Sequence, residues 1–238
     1  MTSAPLRLLA LLLLPLAQPA WCDQSPSTAL PGASPHINQP FEGARVERWS
    51  NIFERPGREV FDQRYPILEA TRLEEGMRVA DIGAGTGLFA TLFARAVGPA
   101  GVVYAIDVSP GFVAALSARA RAEGLTNLVP IRNSQQGTGL RDASVDLAFV
   151  CDTYHHFENP GAMLASIHRA LAPGGTLIII DYERLPGASS PWILGHVRAG
   201  RDQVVREVTA AGFRLVEQPE ILRESYFLRF QRTDGPAP

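Results

Sequence analysis

The chemistry-bearing part of this 238-residue chain begins where an apolar run ends in an acidic residue and breaks at once into glycines: Arg78-Val79-Ala80-Asp81-Ile82-Gly83-Ala84-Gly85-Thr86-Gly87-Leu88. Gly83, Gly85 and Gly87 let the backbone take φ > 0 and approach a ligand that side chains would block. Leu88, Phe89, Leu92, Phe93, Ala96 and Val97 follow at helical spacing, so the turn opens onto a helix N-terminus. A second carboxylate, Asp107, closes the apolar stretch 101–106. It stands about twenty residues beyond the turn, where an acidic side chain takes up ribose hydroxyls in a nucleotide-binding βαβ unit. A third apolar run leads into Asp152, Tyr154, His155 and His156, and Asp181, Tyr182, Glu183 and His196 lie further on. These groups are suited to moving a proton.

The glycine turn alone is ambiguous, since 85–90 also satisfies the G-x-G-x-x-[G/A] pattern of nicotinamide-dependent oxidoreductases. Asp107 fits NAD and an adenosyl ligand equally. Asp81 discriminates between them, because a carboxylate at the mouth of the turn repels a pyrophosphate but holds a cationic amino group, directly or through water. S-adenosylmethionine has no phosphate and carries an ammonium and a sulfonium.

From about Met77 to Phe230 the chain resembles class I S-adenosylmethionine-dependent methyltransferases of the broad small-molecule (type 11) group. Four pieces carry the resemblance in the family's order: the glycine motif 79–87, the acidic strand end Ile106-Asp107-Val108-Ser109, the run 145–150 into Cys151-Asp152-Thr153-Tyr154-His155-His156-Phe157, and the turn Leu171-Ala172-Pro173-Gly174-Gly175-Thr176-Leu177. The resemblance implies S-adenosylmethionine as cofactor, held by Asp81, Gly83, Ala84, Gly85, Gly87, Asp107, Val108 and Asp152. At the adenine position the family often has an acidic residue; here 133–136 reads Asn-Ser-Gln-Gln, and Ser134 or Gln135 is expected to make that hydrogen bond through its own polar side chain. A non-catalytic binder of the same adenosyl ligand shares the glycine turn and Asp107, and it stands beside the oxidoreductase as an alternative to the enzyme.

Methyl transfer from a sulfonium is an in-line displacement, so positioning and desolvation dominate, with a base where the nucleophile is protonated. His156 and His155 are the candidate bases, with Asp152 and Tyr154 beside them; a packing or capping role competes for at least one histidine. No metal site is expected. Adjacent residues diverge by about 100° on a helix and to opposite faces of a strand, so His155 and His156 are not expected to share an ion; one histidine with Asp152 or Glu183 is the remaining arrangement. The run after 145–150 lacks the Asn/Asp-Pro-Pro-Tyr/Phe turn of amino-methylating enzymes, and there are too few cysteines to hold arsenite. A small-molecule acceptor with an oxygen, sulfur or carbon nucleophile remains.

These residues need a scaffold, and α and β patterns alternate along the chain to supply one. Strands are expected at 78–81, 101–106, 128–132, 145–150, 177–180, 213–216 and 226–230, with helices at 111–123, 161–171 and 195–211. Ser109-Pro110 and Asn159-Pro160 provide N-cap and first-turn signals. The expected fold is α/β: one Rossmann-like doubly wound domain over 77–232, its sheet mostly parallel with one antiparallel strand near the C-terminus. Asp81, Asp107, Asn133, Asp152 and Asp181 then fall together at the carboxyl edge of the sheet, where ligands sit in such folds.

A lid of two helical stretches, 41–54 and 57–73, is expected ahead of the domain within 41–76, with Pro66 as a kink and Arg64 or Tyr65 reaching the cofactor's carboxylate. The segment 23–40, rich in Ser, Pro, Gly and Gln, reads as a flexible linker, and 233–238 as a disordered tail. Residues 1–22 have one positive charge, a short leucine-rich core and a small-residue tail, as in a secretory signal peptide. Export to the periplasm or the extracellular space follows, with no stable membrane insertion after cleavage; lipidation at Cys22 is a competing reading. Cleavage leaves Cys151 without an intrachain partner, and its position at a strand end suits a core residue. The net charge of −2 provides no basic footprint for nucleic acid.

Overall fold

The computed structural model describes Met1, residues 30–41, Gly43 and residues 46–234. The expected signal peptide therefore falls outside the described residues apart from Met1, as do 23–29 of the linker and 235–238 of the tail.

Seven strands form one sheet: β1 (Arg78–Ile82), β2 (Val102–Asp107), β3 (Leu128–Arg132), β4 (Val145–Cys151), β5 (Leu171–Tyr182), β6 (Phe213–Glu217) and β7 (Ser225–Arg232). Their order is β3-β2-β1-β4-β5-β7-β6, with β7 antiparallel to both its neighbours and the β3-to-β5 pairings parallel. The single antiparallel strand is thus where the sequence places it. Strand order reverses between β1 and β4, which opens a crevice beyond their carboxyl ends.

Period-two alternation sends side chains to both faces, and helices cover each. Val79, Leu147, Phe149, Ile178 and Ile180 pack with α4 (Leu88–Val97) and α5 (Pro110–Ala122) through Phe89, Phe93 and Leu116. Ala80, Ile82, Ala148, Val150, Leu177 and Ile179 pack on the other face with α6 (Pro160–Ala170) and α8 (Arg201–Ala210) through Met163, Leu164, Val204 and Val208. Strands buried on both faces explain why 147–150 and 177–180 are continuous apolar runs.

Several local expectations are revised. The leading segment forms three helices, α1 (Val46–Phe53), α2 (Glu59–Asp62) and α3 (Arg64–Thr71). The break between the last two lies at Gln63; Pro66 sits in the first turn of α3, where its missing N–H costs nothing. The one helix expected over 195–211 is two, α7 (Pro191–His196) and α8, separated by extended backbone at Val197 and Gly200. Ser190 starts α7 by accepting the Ile193 N–H, a cap that an apolar period cannot reveal.

The described part of the expected linker is docked rather than free. Leu30 and Ala33 pack into the protein, the Ala33 N–H donates to the Phe157 carbonyl, and Gly32 approaches the Glu158 backbone so closely that no side chain would fit. Two isolated apolar residues and irregular backbone contacts make this docking, so periodicity gives no sign of it. Thr233, the first residue of the expected tail, is likewise pinned by its N–H and hydroxyl to the Gly212 carbonyl.

Candidate functional site

The β1–α4 turn is built by its glycines. Gly83 has φ 78°, and a Cβ there would stand 2.3 Å from the Thr153 side chain, so only glycine lets the turn pack against the segment after β4. Gly87, at φ 91°, caps α4 against Leu116. Gly87 itself does not line the cavity that results, whereas Asp81, Gly83, Ala84, Gly85, Asp107, Val108, Gln135, Asp152, His155 and His156 all do. The cavity holds about 450 Å³ and lies over the β1/β4 crevice.

Three buried oxygens at this cavity have no hydrogen-bond partner: Asp81 Oδ2, Asp152 Oδ1 and Asn133 Oδ1. Buried acceptors without donors are costly, so the cavity suits a ligand that brings donors to each. Burial, with the Asp107 carboxylate adding repulsion, pushes the Asp81 pKa up to about 7. Asp107 is pushed up to about 6 by burial, opposed by the Ser109 and Gly85 N–H groups that its two oxygens accept at 2.8 and 2.9 Å. Those bonds fix Asp107 beside the glycine turn.

Asp152 has φ 48°, an uncommon conformation for this residue, and its Oδ2 accepts from Arg58 at 2.5 Å. Burial raises its pKa despite that guanidinium. Arg58, which has no motif around it, is therefore a cavity-lining cation that the sequence does not signal; Arg64 instead packs over Phe61 and Tyr65, and neither Arg64 nor Tyr65 lines the cavity. An aromatic wall of Phe41, which ends a 3-10 turn ahead of α1, with Trp49 and Phe53 of α1 meets Phe112 of α5. An ion pair between Glu54 and Arg119 ties α1 to α5.

The four residues singled out for catalysis separate into distinct roles. Tyr154 is buried with its hydroxyl donating to Glu207 at 2.6 Å, is pushed upward in pKa by that burial, and does not line the cavity. Its tether to α8 keeps it out of the cavity. His155 is 2% exposed and bonded through Nδ1 to Asp181 at 2.7 Å. Burial opposes its protonation, but the Asp181 carboxylate outweighs this and raises its pKa. The His156 Nδ1 lies 3.0 Å from Asn38 Oδ1, and burial beside the other two histidines lowers its pKa to about 2. It is a neutral imidazole at the cavity wall. Of the adenine candidates, Gln135 lines the cavity and accepts from the Glu158 N–H, whereas Ser134 turns to its own loop.

The expectation that His155 and His156 diverge is not met. They lie in a 3-10 turn, Tyr154–His156, and their rings stand 4.2 Å apart, with His196 of α7 at 5.2 and 5.4 Å from them. Cys151 is the free cysteine described; burial raises its thiol pKa strongly, in keeping with an inert strand-end residue.

Residues 80–179 match the family model described as a methyltransferase domain. Over that stretch the chain is similar to methyltransferase domains. Curated relatives of that domain include the demethylmenaquinone methyltransferase of Geobacillus kaustophilus, 26% identical over 118 residues, which are 50% of each chain. They also include the ubiquinone/menaquinone biosynthesis C-methyltransferase UbiE of Shewanella baltica, 26% identical over 52% of this chain and 49% of the relative. The chain thus spans about half the length of the curated relatives it matches. Among solved structures, a SAM-dependent methyltransferase from Aquifex aeolicus is 26% identical with a TM-score of 0.70, covering 79% of this chain and 97% of that one. The [4+2]-cyclase SpnF is 19% identical with a TM-score of 0.67 over 87% of this chain and 99% of its own, which is a likeness of fold. The matched stretch, its relatives and the Aquifex structure are thus all of S-adenosylmethionine-dependent or other methyltransferases, and they point to S-adenosylmethionine as the group to test against the cavity. The cavity's orphaned acceptors fit that group, which brings an ammonium, ribose hydroxyls and an adenine amino group.

Proposed function

We propose that the protein transfers the methyl group of S-adenosylmethionine to a small, largely apolar or aromatic acceptor through an oxygen, sulfur or carbon nucleophile. The observation that carries this reading is the set of unpartnered buried acceptors, Asp81, Asp152 and Asn133, around one cavity with the glycine turn. When bound, S-adenosylmethionine supplies an electrophilic methyl on a sulfonium. Asp81 and Asp152 hold the ammonium, Arg58 the carboxylate, Asp107 the ribose hydroxyls, and Asn133 with Gln135 the adenine edge. The adenine assignment therefore shifts from Ser134 to Asn133, one residue earlier in the same loop.

The acceptor side is walled by Phe41, Phe157, Met163, Tyr182 and Trp192. Such walls favour a ring or other flat apolar body and exclude water from the transferring methyl. The names of the curated relatives, which include a quinone-pathway C-methyltransferase, agree with a ring acceptor. Because His156 Nδ1 faces an amide oxygen, its proton sits there and Nε2 keeps a lone pair. His155, whose Nδ1 donates to Asp181 and whose pKa that carboxylate raises, takes the acceptor's proton at Nε2 as the methyl arrives, and the neutral His156 positions the acceptor by accepting a hydrogen bond at its own Nε2.

The leader expected at 1–22 makes export part of the same proposal, checked by fractionating cells and reading the mature N-terminus. Activity is tested by incubating the full chain with S-adenosylmethionine and a panel of phenols, thiols and hydroquinones, with mass spectrometry for S-adenosylhomocysteine and a product heavier by one methylene. Formation of both in equal amounts supports the reading. Tight cofactor binding without turnover on any acceptor class favours a non-catalytic binding protein instead.

A further inference from the structure

The acceptor end of the cavity contains a constellation that cofactor binding does not use. His155 and His156 sit in the turn after β4, His196 ends α7, and all three line the cavity. One ring nitrogen from each lies within 4.8 Å of the others. The tautomers of two rings are fixed by their partners. His155 Nδ1 donates to the Asp181 carboxylate at 2.7 Å, and Asp181 is held in turn by the His155 and Tyr182 N–H groups. His156 Nδ1 donates to Asn38 Oδ1 at 3.0 Å; that amide is oriented because its nitrogen donates to the His156 carbonyl and to Glu158. Both rings are therefore left with Nε2 as the atom that can coordinate. Imidazoles that ligate metals characteristically give their other N–H to a carboxylate or a carbonyl oxygen in this way. Trp192 stacks on His196 at 4.5 Å and holds the third ring in place.

We propose that His155, His156 and His196 form a three-histidine site for one divalent transition cation of the zinc type, with its fourth position open to the acceptor side of the cavity. Tetrahedral coordination at about 2.0–2.1 Å sets nitrogen separations of about 3.3 Å. Closing from 4.8 Å asks each ring to move by less than about 1 Å. Three imidazoles without a carboxylate select zinc, copper, nickel or cobalt over magnesium and calcium, which prefer oxygen. The ion would also staple α7 to the turn after β4, one wall of the acceptor chamber to the other.

The consequence for substrate class rests on the methyltransferase reading, whereas binding of the cation does not. The open position takes a hydroxyl or thiol of the acceptor, whose proton is lost to solvent as its oxygen or sulfur meets the ion. That atom then gains the methyl, and the former sulfonium sulfur keeps the electron pair of the broken carbon–sulfur bond. In this state the ion replaces His155 as the means of removing the acceptor's proton, because a coordinated ring has no lone pair to offer.

The test uses the untagged full chain, stripped with chelator and titrated with zinc by calorimetry and with cobalt by visible absorption. One equivalent of each, with the intense bands of four-coordinate cobalt, is expected. His196→Ala and His156→Gln should each weaken binding at least tenfold, Asn38→Ala several-fold, and His168→Ala not at all. Binding of S-adenosylhomocysteine, measured on the same samples, reports both folding and the cofactor reading independently of the metal. Absence of stoichiometric binding, a six-coordinate cobalt spectrum, or undiminished binding in a folded His196→Ala chain overturns the site. Failure to bind S-adenosylhomocysteine with metal binding intact overturns the cofactor reading alone.

Discussion

Replacing Asp81 by Asn should strengthen the ligand-free protein while weakening its grip on the cofactor. Asp81 is 3% exposed, and one of its oxygens has no partner. Its pKa rises from 3.8 to about 7 on folding. A carboxyl group raised in this way favours the folded state most when protonated; its contribution is full below pH 3.8 and is lost as pH rises through 7. At about 1.4 kcal/mol for each unit, the ionised group costs the ligand-free protein up to about 4 kcal/mol above pH 8. The amide of the Asp81→Asn variant avoids that cost and still accepts the backbone N–H of Ala90 that the carboxylate accepts. Without ligand, Tm of the variant should therefore match the parent near pH 4 and exceed it by roughly 8–16 °C at pH 8, at about 2–4 °C for each kcal/mol. Calorimetry with S-adenosylmethionine should show the opposite sign, a loss of about 1.5–3 kcal/mol for a hydrogen bond to a charged group. A Tm difference independent of pH would refute the buried-carboxylate argument, and unchanged affinity would refute its pairing with the ammonium.

The parent protein should bind S-adenosylmethionine more weakly as pH falls below 7, because Asp81 must lose its proton to pair; titrations in buffers of different ionisation enthalpy should show net proton release near neutrality. Asp107→Ala should lower affinity by about 1–3 kcal/mol by removing an acceptor for the ribose, and equal affinity in calorimetry would displace the ribose from this site. Arg58→Met should weaken S-adenosylmethionine much more than 5′-methylthioadenosine, which lacks the amino-acid carboxylate; a parallel loss for both would deny Arg58 that contact. His155→Gln should leave cofactor affinity unchanged and slow turnover by about 10²–10⁴-fold, the range of a positioned base. Intact turnover would remove His155 from the proton path.

The half of the cavity built on the glycine turn is legible in the sequence because its signals are local. The glycines at 83 and 85, Asp81 before them and Asp107 at the next strand end sit at spacings set by one βαβ unit, and the structure brings them together. The other half, proposed above for the acceptor, is assembled across long separations. Asn38 and Phe41 reach His156 from a stretch without apolar period, and Arg58 meets Asp152 from a helix N-cap with no motif. The side-chain divergence of helices and strands does not govern His155 and His156, because they occupy a 3-10 turn, where Asp181 and Asn38 set the ring orientations. Tyr154 has active-site groups for sequence neighbours, yet the same turn sends its hydroxyl to Glu207 of α8.

The most direct test of the account is calorimetric titration of the full chain with S-adenosylmethionine, S-adenosylhomocysteine and NAD in parallel. The orphaned acceptors and the acidic glycine turn predict micromolar binding of the two adenosyl ligands at one site and none of NAD. Binding of NAD alone would contradict the account, because a pyrophosphate would then be sitting against the carboxylate of Asp81.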